Sequence, residues 1–409
     1  MYRYLILVAG LCGLLSGAYA QTTLSFWTIS LSPTYNDYIE ETLARFEAAN
    51  PGITVEWRDL SGEAIGFQLL NAVVSGDAPD VVNINVPMLL SYAERGLLRD
   101  LEPLLDKRQD DYFANMLGSF RVGDELLGLP WYSAPPLLLY NREIFADAGL
   151  TPPPDTRGEL ERDATQITDQ TGLVGFIPNI INQQMLYRFL EAGLPVLSVD
   201  GHEAVFDSPA HVAFLEAHIA RFQRGYVPED ALLRGFVGAL ESYGTGTLGM
   251  LLIGPQFLNR LQTDHPDVYA VTEVAPYPLG AGGIVHAPLM GLAIPRASEH
   301  PQEGLELALF VTSAERQLAF SRLTTIFPSV SSAAQNPFFT DIPANPTLED
   351  EARRLGAAQL ANAADLTMEL PNAADLFGVF QDNLEAAFFG YKSPRDALRD
   401  TVLFWNSRL

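Results

Sequence analysis

Aromatic and amide side chains follow two of the predicted strands near the start of the chain. Trp27 and Ser30 end the first predicted strand, and Asn83 and Asn85 stand on one face of the third. Flat rings can cover the apolar surface of a small molecule, whereas hydroxyl and amide groups replace the water on its polar atoms. Trp27 could instead pack inside a sheet, while two amides on an apolar strand need hydrogen-bond partners. These residue types favour a binding site over a reaction centre.

Trp131 and Tyr132 form a second aromatic pair, directly before a proline-marked segment that leads into another predicted strand. Both rings are candidates for ligand contact. One ring of the pair is expected to pack in the core.

None of the catalytic or metal-binding patterns that we considered fits this sequence. Residues 244–249 match the dinucleotide spacing G-x-G-x-x-G, but a predicted helix precedes them and a predicted strand follows, which inverts the required order. His202 lacks the second histidine of H-E-x-x-H, and no G-x-S-x-G occurs. His211 and His218 would stand two helical turns apart, too far to hold one metal ion. We therefore expect no enzymatic activity, no cofactor and no metal site.

Alternating strands and helices would position the candidate residues. Apolar periodicity predicts strands over residues 24–29, 53–57 and 80–85. Helices are predicted between them, one starting at Pro33 and one over residues 64–74. Strands separated by helices indicate a mainly parallel sheet, in which ligands bind beyond the carboxyl ends of the strands. The residues that end each strand are therefore the first candidates.

Composition excludes several classes of protein. The 409 residues include 50 acidic and 25 basic side chains, for a formal charge of −25. Such a charge repels nucleic acids and anionic lipids, so no nucleic-acid partner is expected. A hydrophobic content of 48% excludes intrinsic disorder as the main state. The length predicts two or three domains.

The first 20 residues have the pattern of a secretory signal peptide. Arg3 precedes an apolar run over residues 4–15, and small residues stand before a cleavage site after Ala20. The run is shorter than a membrane-spanning helix requires, and no later run is long enough. Lipid attachment at Cys12 is the disfavoured alternative, because Leu11 precedes it. Cleavage would remove Cys12, the only cysteine, so disulfides and thiolate metal sites are not expected.

Sequence blocks along the chain resemble the family 1 extracellular solute-binding proteins of ABC sugar importers, with a distant similarity to maltose-binding protein. The early blocks are residues 46–53 (FEAANPGI), 75–81 (SGDAPDV), 96–101 (GLLRDL) and 128–131 (GLPW). The later blocks are residues 139–145 (LYNREIF), 246–250 (GTLGM), 312–317 (TSAERQ) and 393–398 (SPRDAL). Together they extend over nearly the whole chain after the signal.

The resemblance implies an α/β fold with two hinged lobes, like that of periplasmic binding proteins, in which the chain crosses between the lobes three times. Crossings are expected near residues 133–136, 272–276 and 327–331. The N-terminal lobe would comprise residues 21–132 and 277–326, and the C-terminal lobe residues 133–276 and 327–409.

The resemblance also indicates ligand-binding residues beyond the first strands. Gln183 lies in a region that the family uses for ligand contact, and Gly283 lies in a glycine-rich segment that relatives bring near the cleft. Gln256 stands where relatives commonly carry a tryptophan, so an expected stacking ring is missing. Phe377 corresponds roughly to a stacking aromatic residue of maltose-binding protein, with core packing as the alternative.

The implied function is that of an exported monomeric receptor. It would close on a sugar or oligosaccharide and deliver it to the permease of an ABC transporter, in the periplasm or at the outer face of the cytoplasmic membrane. An exported polysaccharide hydrolase, or a receptor for a phosphodiester or ferric ion, remains open. Arg322 is the first arginine to test for an anionic ligand. Tyr132, Tyr140 and Tyr187 form no obvious ferric set.

Overall fold

The structure is a computed structural model that describes residues 22–105, 108–180, 183–368 and 370–409. The predicted signal peptide over residues 1–20 lies outside the described residues. The first part of the chain forms β1 (Thr22–Ile29), α1 (Asn36–Ala49), β2 (Ile53–Leu60), α2 (Gly62–Ser75), β3 (Val81–Asn85), α3 (Val86–Ala93), α4 (Glu102–Leu105), α5 (Ala114–Gly118), β4 (Arg121–Val122), β5 (Glu125–Leu126) and β6 (Leu129–Ser133).

The middle of the chain forms a second set of elements. These are β7 (Leu137–Asn141), α6 (Arg142–Asp147), α7 (Arg157–Thr171), β8 (Val174–Phe176), α8 (Gln184–Glu191), α9 (Pro209–Gln223), α10 (Glu229–Gly244), β9 (Leu248–Ile253), α11 (Leu258–Asp264), α12 (Pro266–Ala270) and β10 (Thr272–Ala275).

The last part of the chain contributes to both sheets. Its elements are β11 (Val285–His286), β12 (Leu289–Ala293), α13 (Pro301–Val311), α14 (Ala314–Ser321), β13 (Phe327–Pro328), α15 (Ser331–Ala334), α16 (Pro337–Thr340), α17 (Leu348–Ala358), β14 (Ala363–Ala364), α18 (Ala373–Phe388) and α19 (Pro394–Asn406).

The first sheet has six strands in the order β13-β6-β12-β3-β1-β2. β1 pairs in parallel with β2 and β3, which confirms the parallel arrangement predicted for the first three strands. β12 is antiparallel to both β3 and β6 and so joins the two halves of the sheet. The carboxyl ends of β1, β2 and β3 consequently lie at one edge, where Ser30 and Asn85 stand.

The first helix begins later than predicted. The sequence places its start at Pro33, whereas α1 begins at Asn36 after a turn. The Asp59 carboxylate accepts hydrogen bonds from the backbone N–H groups of Leu31 (3.0 Å) and Ser32 (3.1 Å). Because these two N–H groups are bonded to Asp59 within the turn, α1 begins only after the turn ends.

The second sheet has four strands in the order β10-β7-β9-β8, with helices packed on it. β7 is antiparallel to β9 and β10, and β8 is parallel to β9. α7 begins with a capping box, in which Thr156 and Glu159 satisfy each other's backbone N–H groups. Within the described ranges, no helix is long and apolar enough to cross a membrane.

Two connections lead between strands of the two sheets. Residues 134–136 lead from β6 to β7, and residues 276–288 lead from β10 to β12. After β13 pairs with β6, Phe339 still packs in the core around the first sheet, whereas Leu355 packs in the core of the second. The chain therefore passes from the first core to the second between α16 and α17, and Leu360 and Ala363 then pack in the first core again. The division of the chain into lobes at exact residues stays a prediction.

Candidate functional site

A cavity of about 590 Å³ lies among α8, α10 and α18, beyond the carboxyl end of β8. It brings Gln183 and Phe377, two predicted site residues, into one wall although they are far apart in sequence. The lining consists of amides, two aromatic rings, one arginine, one carboxylate and small residues: Asn179, Gln183, Gln184, Arg234, Gly235, Phe236, Val237, Ala374, Phe377, Gly378, Gln381 and Asp382.

Two phenylalanine rings form the apolar part of this lining, and neighbouring rings hold both. Phe377 packs edge-on against Trp405, with the ring centroids 6.0 Å apart. Phe236 packs edge-on against Phe257, with the centroids 5.3 Å apart. Gly235 has φ 50° and ψ −129° and interrupts α10 directly before Phe236, a backbone conformation that favours glycine. Phe236 lines the cavity but was missed in the sequence analysis, where the glycine directly before it was the only signal.

The polar part of the lining continues into a hydrogen-bonded cluster. Gln183 Nε2 donates to the Tyr187 hydroxyl (2.9 Å), one helical turn further along. The Tyr187 ring stacks on His286, with the centroids 4.2 Å apart. Burial raises the pKa of Tyr187 and lowers the pKa of His286, so it disfavours the charged form of each side chain. The cluster thus ties Gln183 to the strand β11 of the connection between the sheets.

Gln256 lies near the cavity without lining it. It is exposed in a short 3₁₀ helix, Pro255–Phe257, whose last residue supports the ring of Phe236. The segment that relatives use for a stacking tryptophan therefore contributes here through Phe257, by holding another ring.

A second polar and aromatic surface lies at the carboxyl edge of the first sheet. Ser30 is exposed there with φ 51°. Tyr35 and Tyr132 both pack edge-on against Phe320, with centroid distances of 5.1 Å and 5.5 Å. Burial raises the pKa of Tyr132, and the neighbouring Tyr35 and Asp59 raise it further. Tyr35 and Asp59 were missed from sequence, although Asp59 lies only two residues after a predicted strand.

Trp27 and Trp131 are both buried in the core around the first sheet. Trp27 is 5% exposed, its indole N–H donates to Ser25 Oγ (3.1 Å), and the Arg58 guanidinium lies over its ring. Trp131 is 0% exposed and stacks on Phe320, with the centroids 5.5 Å apart. Trp131 is the core member of the predicted pair, and Tyr132 is the partly exposed one. In this conformation neither tryptophan offers a free face to a ligand.

The two asparagines of β3 form hydrogen bonds within the protein. Asn83 is 0% exposed, and its Nδ2 donates to the backbone oxygen of Gly291 (3.0 Å) on β12, while its Oδ1 is buried with no hydrogen-bond partner among the described residues. Asn85 caps α3 by accepting a hydrogen bond from the backbone N–H of Met88 (2.9 Å). Both side chains thus find partners within the protein, as the sequence analysis required. The partner of Asn83 is on an antiparallel strand, and that of Asn85 is at the start of a helix.

Gly283 lies in the connection between β10 and β11, where the backbone conformation favours glycine. It has φ 66°, and its carbonyl accepts a hydrogen bond from Asn362 Nδ2 (2.8 Å). The adjacent glycines pack on the end of α8, where a Cβ on Gly280 would overlap the Glu191 carbonyl and a Cβ on Gly282 would overlap the Leu190 carbonyl. None of these glycines lines the cavity that contains Phe377.

The residues considered for other ligands do not assemble into a site. Arg322 lies over the ring of Phe338, with its Cζ 5.2 Å from the centroid. Tyr140 donates to Glu273 in the second sheet, Tyr132 packs in the first, and Tyr187 belongs to the His286 cluster. Within the described residues, no group of three or more His, Cys, Asp or Glu could hold a metal ion.

The glycine pattern at residues 244–249 lies between α10 and β9, which confirms the order of helix before strand. A dinucleotide site requires the opposite order. His211 and His218 bond to backbone carbonyls of Pro195 and Phe214, so both are structural.

Comparison with known proteins agrees with this architecture. Residues 29–318 match the model of a family described as bacterial extracellular solute-binding protein. A protein of Synechococcus sp. MITs9220, proposed to be an oligosaccharide periplasmic-binding protein, is 30% identical with a TM-score of 0.81, over 94% of this chain and 98% of its own.

Two relatives with lower sequence identity are named as a receptor and as a binding protein. The GacH receptor of Streptomyces glaucescens, solved unliganded and with acarbose, is 20% identical with a TM-score of 0.73, over 95% of this chain and 98% of its own. The diacetylchitobiose binding protein of Streptomyces coelicolor is 28% identical over 37% of this chain and 36% of its own. The predicted two-lobed α/β fold is thereby confirmed. The chain belongs to the bacterial extracellular solute-binding protein family.

Proposed function

We propose that this protein is an extracytoplasmic receptor that captures a sugar or oligosaccharide between its lobes and delivers it to the permease of an ABC transporter. The cavity that contains Gln183, Phe236 and Phe377 is the C-terminal half of the binding site. Membership of the solute-binding family and the oligosaccharide ligands named for its relatives support this assignment.

The observation that carries the proposal is the pairing of two phenylalanine rings with several amides in one cavity. A pyranose has apolar C–H faces that pack on flat rings, and hydroxyl groups that need hydrogen-bond partners once they leave water. Asn179, Gln183 and Gln184 supply both donors and acceptors, and the Asp382 carboxylate accepts hydrogen bonds from hydroxyl groups. A neutral polyhydroxylated ligand fits this lining.

The surface formed by Ser30, Tyr35, Asp59 and Tyr132 supplies the N-terminal half of the proposed site. It lies at the carboxyl edge of the first sheet, where open α/β sheets bind their ligands. A ligand held by both halves favours the closed arrangement only by its differential affinity for that state. Contacts to both lobes are therefore needed for delivery of a closed receptor to the permease.

The experiment is a thermal-shift and calorimetric screen of the mature chain against monosaccharides, maltooligosaccharides and chitooligosaccharides. A sugar that binds the folded state raises the unfolding midpoint. Phe377→Ala is expected to weaken binding of that sugar about tenfold, because a ring platform is lost. Phe67→Ala is the matched control, since Phe67 is an exposed ring of α2 outside the cavity.

Three results would count against the proposal. The first is that no sugar in the panel raises the unfolding midpoint, and the second is that Phe377→Ala binds the sugar as tightly as Phe67→Ala. The third is hydrolysis of the sugars during the titration. The last result would favour the exported hydrolase. Delivery is tested separately by uptake of the labelled sugar into cells that carry or lack this receptor.

A further inference from the structure

A second cavity, of about 410 Å³, lies between α7, α8, α9 and the connection from β10 to β12. It shares no lining residue with the cavity that contains Phe377. Its volume is within the range of small-molecule sites. Its walls combine two arginines and two glutamates with apolar side chains from Phe214 and Leu279. We refer to it as the arginine cavity.

Both arginines have guanidinium groups that are only partly satisfied. Arg157 Nη2 pairs with the Glu191 carboxylate (3.1 Å) and donates to the Tyr277 hydroxyl, but Arg157 Nη1 is buried with no hydrogen-bond partner among the described residues. Arg188 Nε donates to the Asn179 carbonyl (2.8 Å), and its guanidinium lies 6.0 Å from the Phe176 centroid. Arg188 forms no ion pair with any part of the chain that the structure describes.

The acidic groups nearby do not use these donors. Glu191 Oε1 already accepts from the Tyr277 hydroxyl (2.8 Å) and the His286 backbone N–H (3.3 Å). Glu161 is 31% exposed and lies 3.8 Å from His218. Burial and then the neighbouring Arg157 lower the pKa of Arg188, whereas Tyr277, Glu191 and Glu161 raise it. A buried N–H group without a hydrogen-bond partner carries a free-energy cost, as does a partly buried guanidinium that forms no direct ion pair.

We propose that the arginine cavity binds a small organic carboxylate. The carboxylate accepts hydrogen bonds from the Arg188 guanidinium, beside the positive charge of Arg157, and the apolar part of the ligand packs on Phe214 and Leu279. Guanidinium groups suit carboxylates in geometry and charge. This cavity is separate from the proposed sugar site, although Arg188 Nε donates to the carbonyl of Asn179, which lines that site.

A ligand in the arginine cavity would contact two parts of the molecule at once. Leu279, Gly280 and Ala281 line the cavity and belong to the connection between the two sheets, whereas α7, α8 and α9 pack with the second sheet and its helices. A ligand that touches both walls holds the connection against these helices. The cavity therefore acts as an effector site beside a connection between the lobes.

The experiment uses the mature chain without sugar and three sodium salts, acetate, butyrate and benzoate, against sodium chloride at equal ionic strength. At least one carboxylate is expected to raise the unfolding midpoint above that in chloride. Arg188→Met, which keeps the apolar stem and removes the charge, should weaken that binding at least about tenfold in calorimetry. Arg157 is not substituted, because its loss would leave Glu191 without its ion-pair partner.

Arg162→Met is the matched control, since Arg162 is an exposed arginine of α7 outside the arginine cavity. It should bind the carboxylate like the wild type. Ala192→Met fills the cavity without altering a charge and should also abolish binding. The proposal is overturned if no carboxylate exceeds chloride, or if Arg188→Met binds like Arg162→Met. If Arg188→Met does not fold, unchanged binding by Ala192→Met overturns it. Sugar-induced shifts are measured in Ala192→Met and Arg162→Met and should persist, which separates this result from the sugar proposal. Arg188→Met is left out of that comparison, because Arg188 Nε donates to the carbonyl of Asn179 in the proposed sugar site.

Discussion

Glu191 links three segments at the junction of the two sheets. Its carboxylate is 8% exposed and contacts Arg157, the Tyr277 hydroxyl and the backbone N–H of His286. These partners belong to α7 and to the connection between β10 and β12. One buried charge thus holds three segments, and its stability depends on the neutralising charge of Arg157.

Replacing Glu191 with Ala should destabilise the fold by about 3–5 kcal/mol, because a buried arginine loses its counter-ion. Urea denaturation measures the change in the free energy of unfolding. The double variant Glu191→Met with Arg157→Met should lose less, since neither charge is left unpaired. Glu216→Ala, an exposed site on α9, is the control and should stay within about 0.5 kcal/mol of the wild type. Equal stability of Glu191→Ala and Glu216→Ala would contradict the role of the ion pair.

His218 should make stability depend on pH. Burial lowers its pKa to about 4, against the raising effect of Glu161 on α7, while Arg188 and Arg221 lower it further. In the unfolded chain the pKa is about 6.5, so between these values the unfolded state takes up a proton that the folded state does not. Stability should therefore fall as the pH drops from about 6.5 to about 4, by up to about 3 kcal/mol.

The measurement is urea denaturation at a series of pH values. His218→Gln should flatten this decline, whereas His202→Gln, which changes an exposed histidine, should keep the wild-type slope. If His218→Gln declines as steeply as the wild type, other groups are responsible.

At the scale of elements, the contact between α8 and the glycine-rich connection decides how the two sheets are joined. The backbone N–H of Gly282 donates to the Glu191 carbonyl (2.9 Å) at the end of α8. Gly280 and Gly282 lack side chains, so the connection can approach the helix backbone this closely. Close backbone packing, and not ligand contact, explains these two glycines.

Gly282→Ala should destabilise the protein by about 1–3 kcal/mol, because the new Cβ would overlap the Leu190 carbonyl and lie 2.9 Å from that of Glu191. Thermal and urea unfolding measure the loss. Gly118→Ala is the control, since a Cβ there meets nothing within 4 Å in α5, and it should be neutral or slightly stabilising. A Gly282→Ala variant as stable as Gly118→Ala would show that the contact can relax.

At the scale of the whole molecule, separate hydrophobic cores lie around the first sheet and around the second sheet with its helices. The core around the first sheet includes residues from β1 to α16 and also Leu360 and Ala363, whereas α17 packs in the core of the second sheet and α18 packs with α8, α9 and α19. Hinge motion in such proteins is absorbed by a few residues in the connections. A ligand that binds both halves of the proposed site shifts the population toward the closed arrangement.

Small-angle scattering of the mature chain should show a smaller radius of gyration in the presence of the sugar that raises its unfolding midpoint. Phe377→Ala should remain extended at the same sugar concentration, because its affinity is reduced, while Phe67→Ala should contract like the wild type. Identical radii of gyration with and without saturating sugar would contradict closure.

The order of elements and the family could be predicted from sequence, because both depend on local signals. Apolar periodicity, strand ends and turn residues located β1, β2, β3 and the helices between them. The start of α1 was the exception, because Asp59, which lies on the next strand, forms hydrogen bonds to the turn before the helix. The sequence also indicated that Asn83 and Asn85 need partners, but not which ones.

The tertiary structure alone decided which candidates share a site. Gln183 and Phe377 meet in one cavity because α8 and α18 pack near each other, whereas Trp131 and Asn83 are enclosed by strands and helices from the last part of the chain. Sequence periodicity records which face of an element is apolar. It does not record which distant element covers that face, and that long-range choice separates a residue of the core from a residue of the site.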